Sequence, residues 1–405
     1  MLDILPITTR LIETRNTQYY ATSVCETDSD SSGGPLARLQ HYLRHRPAGC
    51  FIDKHQSSGV TSCDHEPHAA TESGGIHPSA NHAMANTSLP CLVFEYGDER
   101  PTTLYGAADG AHRPCEIDVL LTKQNWVTAH GWVLARDPDT SATFLWDPQD
   151  PEHGRVVLPS LPQAPPLGSD CVLSGDPTSP DGCTVVLPEP YDSTALWYCH
   201  AGSASPEWVR HEYDLGGKLV VIGKHRSWLK RCVFGLTPYR GRFYFPIQTN
   251  KYGVLEFSPE PALSTVKTKG IKLTYPPSGE KCVHAWSSLL DLDGELHKVS
   301  ISFADLEMQT VNDVAVYKMG FDGSRCVRVD DISDRAILLS SRSNMAGWCP
   351  ASKFGLLSNS LYWMSGFDKC LHVYDIGTNT EEVRQCQDIA EQSSLPFWLV
   401  PVHRA

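Results

Sequence analysis

No CxxC pair occurs in the sequence, although it holds 14 cysteines, so zinc-ribbon and thioredoxin-like chemistry lose their main motif. No G-x-x-x-x-G-K-[ST] occurs and no G-x-G-x-x-G follows a strand-like run, which leaves no phosphate-cradling loop. Apolar runs stop well short of the ~18 residues of a membrane span. Basic residues are the minority: 34 Lys and Arg stand against 47 Asp and Glu, a formal charge of −13. A phosphate surface needs clustered cations, so neither nucleic acid nor membrane is expected as a partner. The first ten residues lack a basic start and an apolar core, and no secretory leader is expected from them. The cysteines stand mostly singly, many in apolar runs such as Leu196-Trp197-Tyr198-Cys199, where a thiol packs as a small hydrophobe. Reduced thiols and an intracellular address, cytoplasmic or nuclear, are therefore expected. Arg10 and Arg15 among threonines are what an organellar presequence would share, and Asp3 and Glu13 count against one.

Aromatics are nearly missing from the first fifth. Residues 1–88 hold no Trp and a single Phe, Phe51, but seven of the 17 histidines. Such a segment buries too little apolar area to offset its ordering entropy, and a mostly disordered Ser/His-rich tail is expected over 1–88. Within it, Leu36, Leu39 and Leu43 share one helical face over Pro35–Arg46. Cys63-Asp64-His65-Glu66-Pro67-His68, with His77 and His82 beyond, is the most metal-like cluster. Its spacing fits no established arrangement, and Pro67 spoils a helical presentation; no metal site or other cofactor is expected.

From residue 89 the texture changes to short runs of Val, Leu, Phe, Tyr and Trp between Asp, Gly, Pro, Ser and Asn clusters, as in strands and turns. An irregular repeat runs through them, each copy a strand leaving a polar turn and a second strand ending in an aromatic. The aromatic endings Trp146, Tyr213, Phe257, Tyr317 and Tyr374 are spaced by 44 to 67 residues. Most are followed by another apolar run, such as Arg155–Pro159, Leu219–Ile222, Lys272-Leu273 and Cys326–Val329. Units of this length with about four strands predict an all-β propeller of about six (five to seven) four-stranded blades over 89–405. Leu92-Val93-Phe94 and Thr103-Leu104-Tyr105 are expected to join Phe397-Trp398-Leu399-Val400 and close the ring, which removes open sheet edges. Asp147 and Asp375, each following an aromatic, suit turns in which the carboxylate takes backbone N–H groups. A pair of β-sandwiches is the alternative.

The run Trp126–Leu134, then Phe144-Leu145-Trp146-Asp147-Pro148 and Val157–Pro162, resembles the opening of the plant KIB-type β-propellers, an F-box-associated family. Cys171–Pro177, Asp334–Leu339, Leu361-Tyr362-Trp363, Val373-Tyr374-Asp375 and the closing Pro396–Pro401 are similar to its later units. The resemblance spans about residues 89–402. It implies a propeller that receives another protein, in many members as the substrate-recognition part of a ubiquitin ligase joined through a Skp-type adaptor. The F-box that docks the adaptor would need a helical segment of some 40 residues. Here Leu5-Pro6 is its only echo, so a stand-alone propeller is expected.

Catalytic patterns are thin. Gly202-Ser203-Ala204-Ser205-Pro206 lacks the closing glycine of a nucleophile elbow, and His200 beside it reads as a loop or strand-edge residue. Asp330-Asp331 and Glu381-Glu382 are adjacent in strand-like runs, so each pair points to opposite faces. The sharpest feature is Lys224-His225-Arg226-Ser227-Trp228-Leu229-Lys230-Arg231. Lys224, Arg226, Trp228, Lys230 and Arg231 can grip a phosphate or an acidic peptide through charged hydrogen bonds and cation–π contact; the plain alternative is a solvated loop with Trp228 tucked into a blade. The expectation is a non-catalytic protein-interaction propeller, a degenerate relative of F-box substrate receptors. An enzyme with its site at the central channel mouth is the competing class, and a functionless relic a third.

Overall fold

The computed structural model describes residues 89–402 except 97–99, 164, 166–168, 190–192, 223–224, 249, 259, 270–283, 306–308, 322–324, 341–344, 366–367 and 387–394. The tail, the Pro35–Arg46 segment, the Cys63–His82 cluster and Lys272-Leu273 lie outside the described residues. Strands β1 (Cys91–Phe94), β2 (Thr103–Gly106) and β3 (His112–Pro114) open the ring. Blade 2 is β4 (Gln124–Val127), β5 (Val133–Arg136), β6 (Thr143–Trp146) and β7 (Arg155–Leu158). Blade 3 is β8 (Val172–Leu173), β9 (Cys183–Pro188), β10 (Ala195–Ala201) and β11 (Val209–Glu212). A separate two-stranded hairpin follows, β12 (Gly217–Ile222) with β13 (His225–Lys230). Blade 4 is β14 (Thr237–Tyr239), β15 (Arg242–Gln248), β16 (Lys251–Phe257) and β17 (Pro261–Lys267). Blade 5 is β18 (His284–Leu292), β19 (Glu295–Phe303), β20 (Val311–Lys318) and β21 (Val327–Val329).

Blade 6 has five strands, in the order β23 (Ala346–Pro350), β22 (Arg335–Leu339), β24 (Ser360–Met364), β25 (Cys370–Asp375) and β26 (Thr380–Gln385). Its β22 and β24 run parallel, because β23 and the short helix Ala351–Phe354 intervene and return the chain to the starting end. The last strand, β27 (Phe397–Leu399), pairs with β1 in the register Cys91↔Leu399 and Val93↔Phe397. The chain thus forms a six-bladed β-propeller closed by strands from both ends of the described region, and the sandwich alternative falls. Among the described residues no helix is long and apolar enough to cross a membrane.

Burial explains the texture of the sequence. Middle strands are covered on both faces: β5 and β24 are buried at every position. Their apolar runs are therefore continuous. Outer strands are open to solvent: no position of β17 along Pro261–Lys267 is fully buried, and β26 carries Glu381, Glu382 and Arg384 on an open edge. Charges there discourage pairing with another sheet. The turn carboxylates act as expected: Asp147 Oδ1 takes the Gln149 N–H at 2.7 Å, and Asp375 Oδ1 takes that of Gly377 at 2.8 Å. Tryptophans tie blade to blade. Trp348 Nε1 donates to the Asp291 carbonyl at 3.0 Å, Trp398 Nε1 to that of Leu339 at 2.9 Å, and Trp208 Nε1 to that of Pro159 at 2.9 Å. One expected strand is reassigned: Leu219–Ile222 does form a strand, but it pairs with β13 and not with blade 3.

Candidate functional site

The hairpin emerges between the outer strand of blade 3 and the inner strand of blade 4. Its base is held by buried Tyr213, whose hydroxyl accepts the Val233 N–H at 2.8 Å. Burial pushes that phenol up to about 12. Tyr213 and Val233 pack with Leu236 and Phe243 of blade 4, so the hairpin's root is part of the core. Arg231 N–H donates to the Gly216 carbonyl at 2.9 Å and extends the pairing by one step. In β13 the i, i+2, i+4 positions share a face, and those are Arg226, Trp228 and Lys230, all exposed. Trp228 is 67% exposed, which corrects the alternative that tucked it into a blade. A Cβ at Gly217 would collide with the indole Nε1 and Cε2; the glycine, diagonal to Trp228 across the strands, lets the ring lie down on the sheet. Arg231, just past the strand, is half-buried, and Lys224 lies outside the described residues.

A second feature was not legible in the sequence. A cavity of about 370 Å³ occupies the ring centre, lined by Val127 of blade 2, Val172 of blade 3, Thr237 of blade 4, Asp291 of blade 5 and Trp348 of blade 6. Blade 1 is screened from it by β23, whose Gly347 sits so close that an added Cβ would be 3.3 Å from the Ala129 carbonyl and 3.7 Å from Val400. Asp170, Asp176, Asp291, Asp293 and His130 also line the cavity, and among the described residues no Lys or Arg does. Three of the carboxylates are satisfied within the protein. Asp176 takes the N–H and hydroxyl of Thr178 at 2.9 and 2.8 Å, Asp291 takes the Gly294 N–H at 2.7 Å, and Asp293 pairs with Arg335. Burial raises Asp291, and the Gly294 N–H offsets part of that. Asp170 is half-buried at the cavity wall, and desolvation pushes its carboxyl up to about 7. No sequence signal marks this cavity, since its lining is drawn from residues 127 to 348 and meets only when the ring closes.

Other candidates resolve as structure. His200 lies next to the end of β10, beyond the last step of its pairing with β11, and its Nδ1 is 2.9 Å from Thr184 Oγ1. Glu381 and Glu382 do point apart, to His372 at 2.6 Å and to Arg384 at 2.8 Å. No group of three metal-ligating side chains occurs among the described residues.

The model of one family, the KIB1-4 beta-propeller, matches residues 107–384. The chain belongs to the KIB1-4 beta-propeller family. No curated protein matches it. Among solved structures it is similar to BBS1N in complex with ARL6DN, at 8% identity and a TM-score of 0.29 over 75% of this chain and 77% of that one. It is also similar to the six-bladed fucose-recognising lectin of Aleuria aurantia, at 12% identity and a TM-score of 0.27 over 76% and 86% of the two chains. AztD from Citrobacter koseri gives 9% identity and a TM-score of 0.27 over 77% and 98%. These scores carry no argument about what the propeller binds.

Proposed function

We propose that this propeller is a non-catalytic protein-interaction module, a degenerate relative of F-box substrate receptors, which grips an acidic segment of its partner with the β12–β13 hairpin. The observation that supports it is the single exposed face of Arg226, Trp228 and Lys230 outside the blade ring. Trp and Arg dominate interface energetics, and the indole offers an apolar platform between two cations. On a chain of formal charge −13 such a face is a local positive focus that steers an acidic partner. The test is fluorescence anisotropy of a labelled Asp/Glu-rich decapeptide with the full chain. Arg226→Glu with Lys230→Glu is expected to weaken binding at least tenfold and to leave the thermal midpoint unchanged. Unaltered affinity in that variant would remove the hairpin from the reading. Capture of a Skp-type adaptor and cullin with the full chain would support the ligase relationship.

The enzyme reading has one observation in its favour, the Asp170 carboxyl held at about 7 in the central cavity. That is a range in which a carboxyl can exchange protons with a substrate. Turnover of any hydrolase or lyase substrate that disappears in Asp170→Asn would put the enzyme reading first.

A further inference from the structure

Several surface cations of blades 4 and 5 have carboxylate partners: Arg242 pairs with Glu256 at 2.9 Å, Lys318 with Glu295 at 3.4 Å and Arg328 with Asp313 at 3.3 Å. Four others do not. Lys251 and Lys267 stand directly opposite each other in the β16–β17 register, so their side chains leave the sheet on one face as close neighbours. The Thr268 N–H donates to the Asn250 carbonyl at 3.0 Å and carries that pairing one step on. Lys269 then bridges in parallel to Arg325, just ahead of β21 in blade 5. Lys267, Lys269 and Arg325 are exposed and Lys251 is half-buried. None of the four has an ion pair among the described residues.

Like charges directly opposite each other weaken a sheet, so the fold gains nothing from this set. Edge protection does not account for it either. A guarded edge needs charge on its outermost strand, whereas Lys251 belongs to β16, which is paired on both sides. Lys269 and Arg325 already close the edge between the two blades by pairing with each other. On a chain of formal charge −13 the four make a positive seam across two blades, in different strands from the hairpin. Beside it Val327, two residues beyond Arg325, is 60% exposed. A bare ion gains nothing from an exposed valine; a polypeptide that brings an anion and an apolar side chain together gains from both.

We propose that the seam between blades 4 and 5 docks a phosphorylated segment of a partner protein, with Lys251, Lys267, Lys269 and Arg325 around the phosphate and Val327 against an apolar residue next to it. A phosphate carries close to two negative charges and three acceptor oxygens at one point, where a carboxylate carries one charge. A compact set of cations therefore favours the phosphorylated form, and the guanidinium adds a two-point fit to it. The site does not rest on the hairpin reading, nor that reading on the site.

Fluorescence anisotropy tests this on the full chain carrying Arg226→Glu and Lys230→Glu, which takes the hairpin out of the measurement. The probes are three labelled twelve-residue peptides of one Gly/Ser/Leu sequence, with phosphoserine, serine or aspartate at the centre and a leucine beside it. The phosphoserine peptide is expected to bind at least tenfold tighter than the serine peptide and at least threefold tighter than the aspartate peptide. Lys267→Gln with Lys269→Gln, added to that background, is expected to remove both preferences, and Arg325→Gln to weaken phosphopeptide binding at least threefold from the other blade. The double change relieves repulsion around Lys251, so the thermal midpoint should not fall, which separates lost binding from lost fold. Inorganic phosphate is expected to displace the phosphopeptide only at a concentration at least a hundredfold higher. Equal affinity for the phosphoserine and serine peptides, displacement by inorganic phosphate at the peptide's own concentration, or unaltered phosphopeptide binding in both seam variants would each overturn the proposal. Acidic-peptide binding by the intact hairpin is read separately, so the failure of either site leaves the other standing.

Discussion

Both ring nitrogens of His372 face carboxylates, Nδ1 at 2.6 Å from Glu381 Oε1 and Nε2 at 2.9 Å from Asp368 Oδ2. An ionised carboxylate only accepts, so the ring donates from both nitrogens and is an imidazolium, stacked on Trp363 at 5.0 Å. Burial alone would push the imidazole down; the hydrogen bonds and charges of Asp368 and Glu381 outweigh it and hold the group up at about 9, above its ordinary 6.5. The sign follows from linkage: a raised folded pKa stabilises fully below 6.5, and that stability is lost as pH rises through about 9. Unfolding free energy is expected to fall by on the order of 3 kcal/mol across that window, and His372→Gln should flatten the fall when urea denaturation is compared at pH 6.5 and 9.5. Asp368 acts oppositely at acid pH: burial would raise its carboxyl, but the hydrogen bond and charge of His372 hold it below the usual range, and its contribution is lost as it protonates. A wild-type profile unchanged from pH 6.5 to 9.5 would mean that the ring is not charged in the fold. Nothing in the sequence announced this cluster, since its partners lie four and nine residues away on neighbouring structure.

Two glycines show how an element's place decides what a substitution does. Gly253 of β16 faces Phe245 across the strands, and the buried ring occupies the space a Cβ would need. Gly217 gives the same room to Trp228, but there the ring is on the solvent side of a hairpin outside the blades. Gly253→Val is therefore expected to cost about 1–3 kcal/mol by overpacking. Gly217→Val should lift the indole and, because the Cβ also meets the Leu229 carbonyl oxygen at 2.9 Å, shift the hairpin backbone; acidic-peptide binding is expected to weaken, with a smaller midpoint loss than Gly253→Val. Calorimetry and anisotropy on the two variants check this, and equal midpoint losses would show that the hairpin is part of the cooperative core. Strand existence was legible because strands are local: aromatic endings at Trp146, Phe257 and Tyr374 close β6 and β16 and nearly close β25. Strand partnership was not. Leu219–Ile222 has the composition of an outer blade strand, and only the three-dimensional pairing to His225–Lys230 shows otherwise. The inserted β23 escaped for a related reason, because Ala346-Gly347-Trp348-Cys349-Pro350 is too short and irregular to read as an inner strand.

At the scale of the ring, the architecture was readable and the central cavity was not. Hairpins repeat along the sequence, whereas a cavity is made by residues that share nothing but distance from an axis. Ring closure is the step that joins the two. Cys91, Leu92, Val93 and Phe94 of β1 and Phe397, Trp398 and Leu399 of β27 are all buried. Trp398 adds its bond to Leu339 in blade 6, and the Val402 N–H donates to Gln149 Oε1 of blade 2 at 2.9 Å. Blade 1 thus couples both neighbours, and without β1 and β2 the strand β27 has no sheet to join. Deleting residues 89–105 is expected to abolish the cooperative thermal transition or lower its midpoint by well over 10 °C, whereas deleting 1–85 should shift it by no more than ~2 °C. Because the shorter propeller can fail to fold at all, Trp398→Ala supplies a milder probe: loss of a fully buried Trp and its hydrogen bond should cost about 3–5 kcal/mol. The cost should appear as a lower midpoint for the whole ring in one transition, since blades that close on each other unfold together. Equal midpoints for the two deletions, or a separate early transition for Trp398→Ala, would show that the blades hold without their closing strand, and the buried contacts of β27 would then have to be explained in another way.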